Sequence, residues 1–136
     1  MTTTTDRAPA LVHRVGTDLV EVQRIEELFR EQTGIEQTLF SEEEISYSNR
    51  KFAPYQHFAA RFAAKEACVK ALGTGMSGEM DWQDVEVRRE RSGKPILHLS
   101  GETARKANRL GVVHSMVSMS HTAEYAVALV VLVIAK

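Results

Sequence analysis

Residues 58–75 read FAARFAAKEACVKALGTG, and this stretch decides how the rest of the chain is understood. Phe58, Phe62, Val69 and Leu72 recur at steps of four, seven and three, the spacing of one helix face. Pro54 suits the first turn of that helix. Gly73 and Gly75 supply its stop. The spacing predicts one amphipathic helix. Yet six alanines and two phenylalanines leave it little polar surface, and it still carries Arg61, Lys65, Glu66 and Lys70. Glu66 and Lys70 stand at i and i+4, so an ordinary helix-surface ion pair worth about 0.2–0.5 kcal/mol is one reading. A solvated face for all four charges is another. The third is that the charges are partly buried and need a partner from outside the helix. Gly73-Thr74-Gly75 is not a phosphate loop in the usual sense. Such a loop precedes a helix and uses its positive end, whereas this one follows.

Upstream, residues 11–16 (LVHRVG) read as a strand. A helix is expected over 19–32, with Val22, Ile25, Leu28 and Phe29 on its apolar stripe and Gly34 as its end. Ser41-Glu42-Glu43-Glu44 matches a capping box opening a helix to about residue 48. Downstream the period changes to two. Val85 and Val87 alternate with charges, residues 92–95 (SGKP) form a turn, and residues 96–99 return as a second strand. A short polar helix follows over 102–110. Val113, Val117 and Met119 share parity on one side of a strand, and residues 125–135 (YAVALVVLVIA) form a buried, valine-rich strand. The expected class is α+β: helices mostly first, antiparallel strands mostly second, in one sheet with helices against a face.

The 136 residues suit a single domain, expected over 11–136 behind a flexible N-terminal arm over 1–10. That arm lacks the apolar core of a signal peptide. The longest apolar run is too short for a membrane helix. A net charge of −1 gives no general attraction to nucleic acid or an anionic membrane. The single cysteine, Cys68, cannot form an internal disulfide, which fits a reducing cytoplasm, and it reads as a packing residue.

Among chemistry-bearing residues, Asp18 ends VGTD. It reads either as an N-cap, with Glu21 completing a capping-box-like pair, or as a site carboxylate at a strand end. Asp18 and Glu66 with lysines nearby suit a hard divalent cation that also holds phosphate, since magnesium takes one or two carboxylates and leaves the rest to phosphates and water. His121 ends a strand and could meet a ligand or be structural. His/Cys spacing for zinc and a Gly-x-Ser-x-Gly nucleophile elbow are both missing.

Taken in order, VGTDLVEVQRI, ARFAAKEACVKALGTG, W-x-D-VEV with SGKP, and VSMSH before AEYAVALVVL resemble the small holo-acyl-carrier-protein synthases. These are short 4'-phosphopantetheinyl transferases, and the resemblance spans residues 12–132. It implies their α+β fold, with an antiparallel sheet packed by a long central helix and shorter helices. It implies transfer of phosphopantetheine from coenzyme A to a serine of an apo acyl carrier protein, releasing adenosine 3',5'-bisphosphate. By the same resemblance Asp18 and Glu66 hold Mg2+, and Asp18, Glu66 and Lys70 are catalytic. Glu66, directly or through water, takes the serine proton. Arg61, Lys65, Lys70, Gly73, Gly75, Gly93, Lys94, Pro95 and His121 match positions at the coenzyme A site. Arg50 and Lys51 are candidates for its 3'-phosphate. The family's members form trimers with sites at subunit interfaces, serve fatty-acid synthesis by default, and receive the carrier on the first helix. Here that is 19–32, with Arg24 at a matching position and Arg30 beside it. The helix departs from the basic pattern by carrying Glu21, Glu26, Glu27 and Glu31, and Ala60 stands where glycine is common. The rival class is a non-catalytic trimeric module that binds coenzyme A or a carrier. Loss of Asp18, Glu66 or Lys70 would favour that rival, and all three are present.

Overall fold

The computed structural model describes residues 10–73 and 80–135. The expected arm, but for residue 10, and Gly75 of the predicted site lie outside the described residues. Strand β1 (Leu11–Glu21) pairs antiparallel along its whole length with the final strand, β5 (Tyr125–Ala135). Strand β4 (Val112–His121) pairs antiparallel with the other edge of β5, giving a three-stranded sheet in the order β1-β5-β4. Strands β2 (Val85–Arg89) and β3 (Pro95–Leu99) form a separate hairpin, so the strands divide into two sheets where one was expected. Gly93 turns that hairpin in the left-handed region, φ 90°.

Helix α1 (Val22–Glu31) begins three residues later than its periodicity suggested. Leu19, Val20 and Glu21 pair instead with Val127, Ala126 and Tyr125. A short helix α2 (Ile35–Leu39) follows, opened by Gly34 at φ 84°. Helix α3 (Glu42–Asn49) carries the expected capping box: Ser41 Oγ accepts from Glu44 N, and Glu44 Oε1 accepts from Ser41 N. Helix α5 (Gly101–Leu110) connects the hairpin to β4.

The long helix α4 (Pro54–Leu72) has proline in its first turn and Gly73 at φ 79° as its cap, as expected. It is not amphipathic, however. It is buried nearly all round, including Arg61 and Lys65, which makes it the core of the molecule. Its alanines let it lie close against β1 and β5. The approach is tightest at Gly16, where an added Cβ would stand 1.8 Å from Ala67 O. Glycine inside a strand commonly marks such a close backbone approach. At the helix start, the Phe58 ring meets Phe29 at 4.9 Å and Phe40 at 5.1 Å. The expected parity of Val113, Val117 and Met119 fails at one position. A bulge between Val112 and His114 turns Val113 outward and puts Val112 against the core with Val117 and Met119.

Candidate active site

Asp18 lies within β1, opposite Ala128, on the face turned to α4. It is not an N-cap: α1 starts at Val22, and its N-cap is Glu21, whose side chain makes no capping bond. Glu66 and Lys70 come from successive turns of α4. Lys70 does not close an ion pair with Glu66. Its Nζ donates to Asp18 Oδ1 at 3.0 Å and to Thr17 O at 3.1 Å. The geometry thus brings together all three residues expected to be catalytic. Thr17 was not foreseen. Its hydroxyl donates to Ala128 O, which fixes this part of β1 to β5.

Burial, then the Asp18 charge, raises the Glu66 carboxyl above its ordinary value, and Lys70 offsets only part of this. Asp18 and Glu66 share one ammonium, that of Lys70, so the half-buried group keeps a net negative charge that a further cation would relieve. Among the described residues, no group of three or more His, Cys, Asp or Glu is arranged to hold a metal. A two-carboxylate donor set fits magnesium, which keeps its remaining positions for water and phosphate, and does not fit a structural zinc. Both carboxylates line an open groove of ≈ 670 Å³ framed by α1.

Lys65 is elsewhere. Its ammonium is fully enclosed and donates to Glu44 Oε1 at 2.8 Å, to Trp82 O at 3.2 Å and to Val85 O. Glu44 Oε2 accepts from Val87 N at 3.0 Å. The glutamate of the capping box therefore also anchors α4 and β2, a second role that local sequence did not disclose.

The other predicted contacts form a second, basic cluster around Tyr47. Arg61 lies 4.1 Å from the Tyr47 ring, Lys51 4.5 Å and Arg89 4.8 Å. The Arg89 guanidinium donates to Gly93 O, tying the Gly93-Lys94-Pro95 turn to the cluster. His121 Nδ1 lies 2.9 Å from Gln56 Oε1, and its ring packs edge-on to His57 at 4.7 Å. Burial favours the neutral phenol of Tyr47, but Arg89, Arg61 and Lys51 outweigh it and bring its pKa below the usual value. Burial, with His121, Arg61, Lys51 and Arg89, pushes His57 down to about 4. Arg61 is 2% exposed, and its Nε has no hydrogen-bond partner. A buried cationic nitrogen left open is a natural anion contact. Arg50 lines the same open groove, ≈ 390 Å³ in volume. Tyr47, His57 and Arg89 were not singled out in the sequence, because nothing local reveals a cluster assembled from α3, α4 and a hairpin.

The two clusters lie on different sides of α4. Arg61 precedes Glu66 by five residues, about 7.5 Å along the helix, and Gln56, which holds His121, by ten, about 15 Å. Gly73 sits on the carboxylate side, where its Cα faces the Arg14 guanidinium. On α1, Arg24 is exposed at the groove mouth, and Arg30 is engaged by Glu26.

Comparison with known proteins shows the family and the fold. The sequence model of the 4'-phosphopantetheinyl transferase superfamily matches residues 14–130. A holo-[acyl-carrier-protein] synthase of Syntrophotalea carbinolica is 48% identical over 118 residues, covering 86% of this chain and 92% of its own. The holo-(acyl-carrier-protein) synthase of Bacillus anthracis, solved in complex with CoA (3',5'-ADP), superposes with a TM-score of 0.75 at 34% identity, covering 93% of this chain and 100% of its own. The Helicobacter pylori synthase in complex with coenzyme A superposes equally well, TM-score 0.75 at 31% identity, with coverages of 87% and 98%. By the match over residues 14–130 and these identities, the chain belongs to the 4'-phosphopantetheinyl transferase superfamily, as one of its holo-[acyl-carrier-protein] synthases.

Proposed function

We propose that this protein transfers the 4'-phosphopantetheine group of coenzyme A to a serine hydroxyl of an apo acyl carrier protein, in a Mg2+-dependent reaction that releases adenosine 3',5'-bisphosphate. The observation that carries the reading is the convergence of Asp18 and Glu66 at the groove, with Lys70 bonded to Asp18. Asp18 and Glu66 hold the metal. When bound, the magnesium neutralises charge on the pyrophosphate of coenzyme A as its phosphoanhydride bond breaks. Lys70 has a half-exposed side chain and is free to turn from Asp18 to the phosphate oxygens, where it meets the same developing charge. The serine oxygen forms its bond to the β-phosphorus as the bond to the bridging oxygen breaks. Glu66, placed at the groove beside the metal site, receives the serine proton directly or through water. No covalent enzyme intermediate is required.

The basic cluster of Arg50, Lys51, Arg61 and Arg89, with Lys94, Pro95 and His121, holds the 3'-phosphate and adenosine end of coenzyme A. Its place on another side of α4 from the carboxylates is the reason for placing the complete site between subunits. A second feature supports a homotrimer. The sheet face turned away from α4 exposes Val15, Leu19, Met116, Val127 and Leu129, at 59%, 66%, 42%, 39% and 43%. So large an uncovered apolar face is unusual for a monomer. No helix among the described residues is long and apolar enough to cross a membrane. The protein acts in the cytoplasm, supplying carriers for fatty-acid synthesis.

The test is the intact mass of an apo acyl carrier protein incubated with this protein, coenzyme A and magnesium. The expected result is a gain of one phosphopantetheine group, abolished by a chelator and by Asp18→Ala or Glu66→Ala. Binding of coenzyme A without transfer to any carrier would overturn the reading in favour of a binding module.

A further inference from the structure

His57 is a half-buried imidazole set among cations. Its ring meets Tyr47 of α3 at 5.9 Å and His121, at the end of β4, at 4.7 Å, both edge-on. On α4 itself, Arg61 lies one turn further on, and its Nη1 donates to His57 O at 3.4 Å. Lys51, from the loop after α3, and Arg89, from β2, stand over the same Tyr47 ring as Arg61. Among the described residues, none of Lys51, Arg61 and Arg89 forms an ion pair. Glu44, the carboxylate that acts on Arg61, is itself bonded to Lys65. Three permanent cations therefore converge from three elements, with Arg61 Nε open among them. Such a group suits a doubly charged anion.

Resting on the reading that this cluster holds the 3'-phosphate of coenzyme A, we propose that His57 is a further binding residue, which takes up a proton from solvent as the phosphate dianion is seated. The neutral imidazole then becomes an imidazolium that donates to the phosphate side of the cluster. Burial, then repulsion from His121, Arg61, Lys51 and Arg89, pushes His57 down to about 4. Every charge acting there is positive, and a dianion among them reverses that balance. Proton and phosphate then strengthen each other's binding by the same factor. The sign follows from a midpoint that rises on binding. The gain in affinity is full below 4, shrinks between 4 and the raised midpoint, and is gone above it. A ligand that lacks the 3'-phosphate obtains no such gain.

The experiment follows the imidazole signals of histidine-labelled protein by NMR against pH, with the His57 signal assigned by its loss in His57→Gln. The protein is titrated alone, saturated with coenzyme A, and saturated with 3'-dephospho-coenzyme A. The His57 midpoint should rise to about 6.5 or above with coenzyme A and stay low with the dephospho form. Calorimetric affinities for coenzyme A accompany this at pH 5.5 and 7.5. A phosphate monoester itself titrates near about 6, so wild type and His57→Gln are compared at each pH, where that contribution cancels. The wild type's advantage over the variant should grow about tenfold from pH 7.5 to 5.5. A midpoint unmoved by saturating coenzyme A overturns the inference, as does an equal rise with both ligands or an advantage that does not change with pH. Equal affinity for the two ligands at pH 7.5 removes the 3'-phosphate from this cluster, and the inference with it. Failure to bind coenzyme A at all overturns the transferase reading itself.

Discussion

Lys65→Met separates a structural role for Lys65 from the ligand contact its position in the motif suggests. The ammonium is wholly buried and donates to Glu44 Oε1, Trp82 O and Val85 O. Methionine keeps most of the packed stem but removes all three bonds. The two carbonyls lose a donor, and Glu44 becomes a buried carboxylate held only by Ser41 N and Val87 N. Breaking one partner of a buried pair costs about 3–5 kcal/mol. The two surviving N–H donors place this case at the lower end, about 3 kcal/mol. For a domain of this size that lowers the melting point by roughly 10 °C. The assay is urea and thermal unfolding at one fixed protein concentration, since assembly shifts apparent stability. Isothermal titration with coenzyme A on the folded variant accompanies it. Adding Glu44→Gln to the variant should cost less than the sum of the two single changes, because the orphaned charge is then gone. A variant as stable as the wild type but about tenfold weaker for coenzyme A would refute the reasoning and return Lys65 to the ligand.

Gly16→Ala places a Cβ 1.8 Å from Ala67 O and 2.8 Å from Ala71 N, both backbone atoms that cannot turn aside. Urea unfolding should show a loss of about 3 kcal/mol, and magnesium titration should show weaker binding as β1 and Asp18 move away from Glu66. Glu66→Gln removes a charge that burial and Asp18 both disfavour. In chelator its melting point should rise above the wild type's while transfer falls about 100-fold or more; a lower melting point would mean that the charge is stabilising without metal. His57 binds its proton at about 4 in the fold against an ordinary 6.5, surrounded by His121, Arg61, Lys51 and Arg89. Its stabilising contribution is therefore present above 6.5 and is lost as pH falls from 6.5 towards 4. His57→Gln should flatten stability against pH in that window, and an unchanged slope would assign the acid sensitivity to other groups.

What could be read from the sequence was whatever local chemistry settles. Ser41 and Glu44 announced a helix start, Pro54 and Gly73 bounded α4, and the alternation of β2 with its glycine turn announced a hairpin. The misreadings lie where distant pairing outweighs local preference. Residues 19–21 continue an apolar pattern that suits a helix, but β5 supplies a full ladder of partners to them, so β1 takes them. The five residues of α2 are too few to show a period. At Val113 a single bulge reverses which side chains face inward.

The site divides along the same line. Asp18, Glu66 and Lys70 were located by resemblance to a family, because two carboxylates and a lysine at those separations occur in almost any chain. The hardest case is the adjacent pair Lys65 and Glu66. Both are charged, and both sit in the same alanine-rich helix. A rotation of about 100° between neighbours sends one to Glu44 and the backbone of the hairpin, the other to β1 and the groove. That division depends on Glu44, 21 residues upstream, and on Asp18, still further away. The charges on α4 are tolerated for two different reasons. Lys65 is completed by the protein itself. Glu66 has no ion-pair partner of its own beside the Asp18–Lys70 pair, and that uncompensated negative charge on a rigid helix and strand is the feature on which the proposed metal and phosphate site rests.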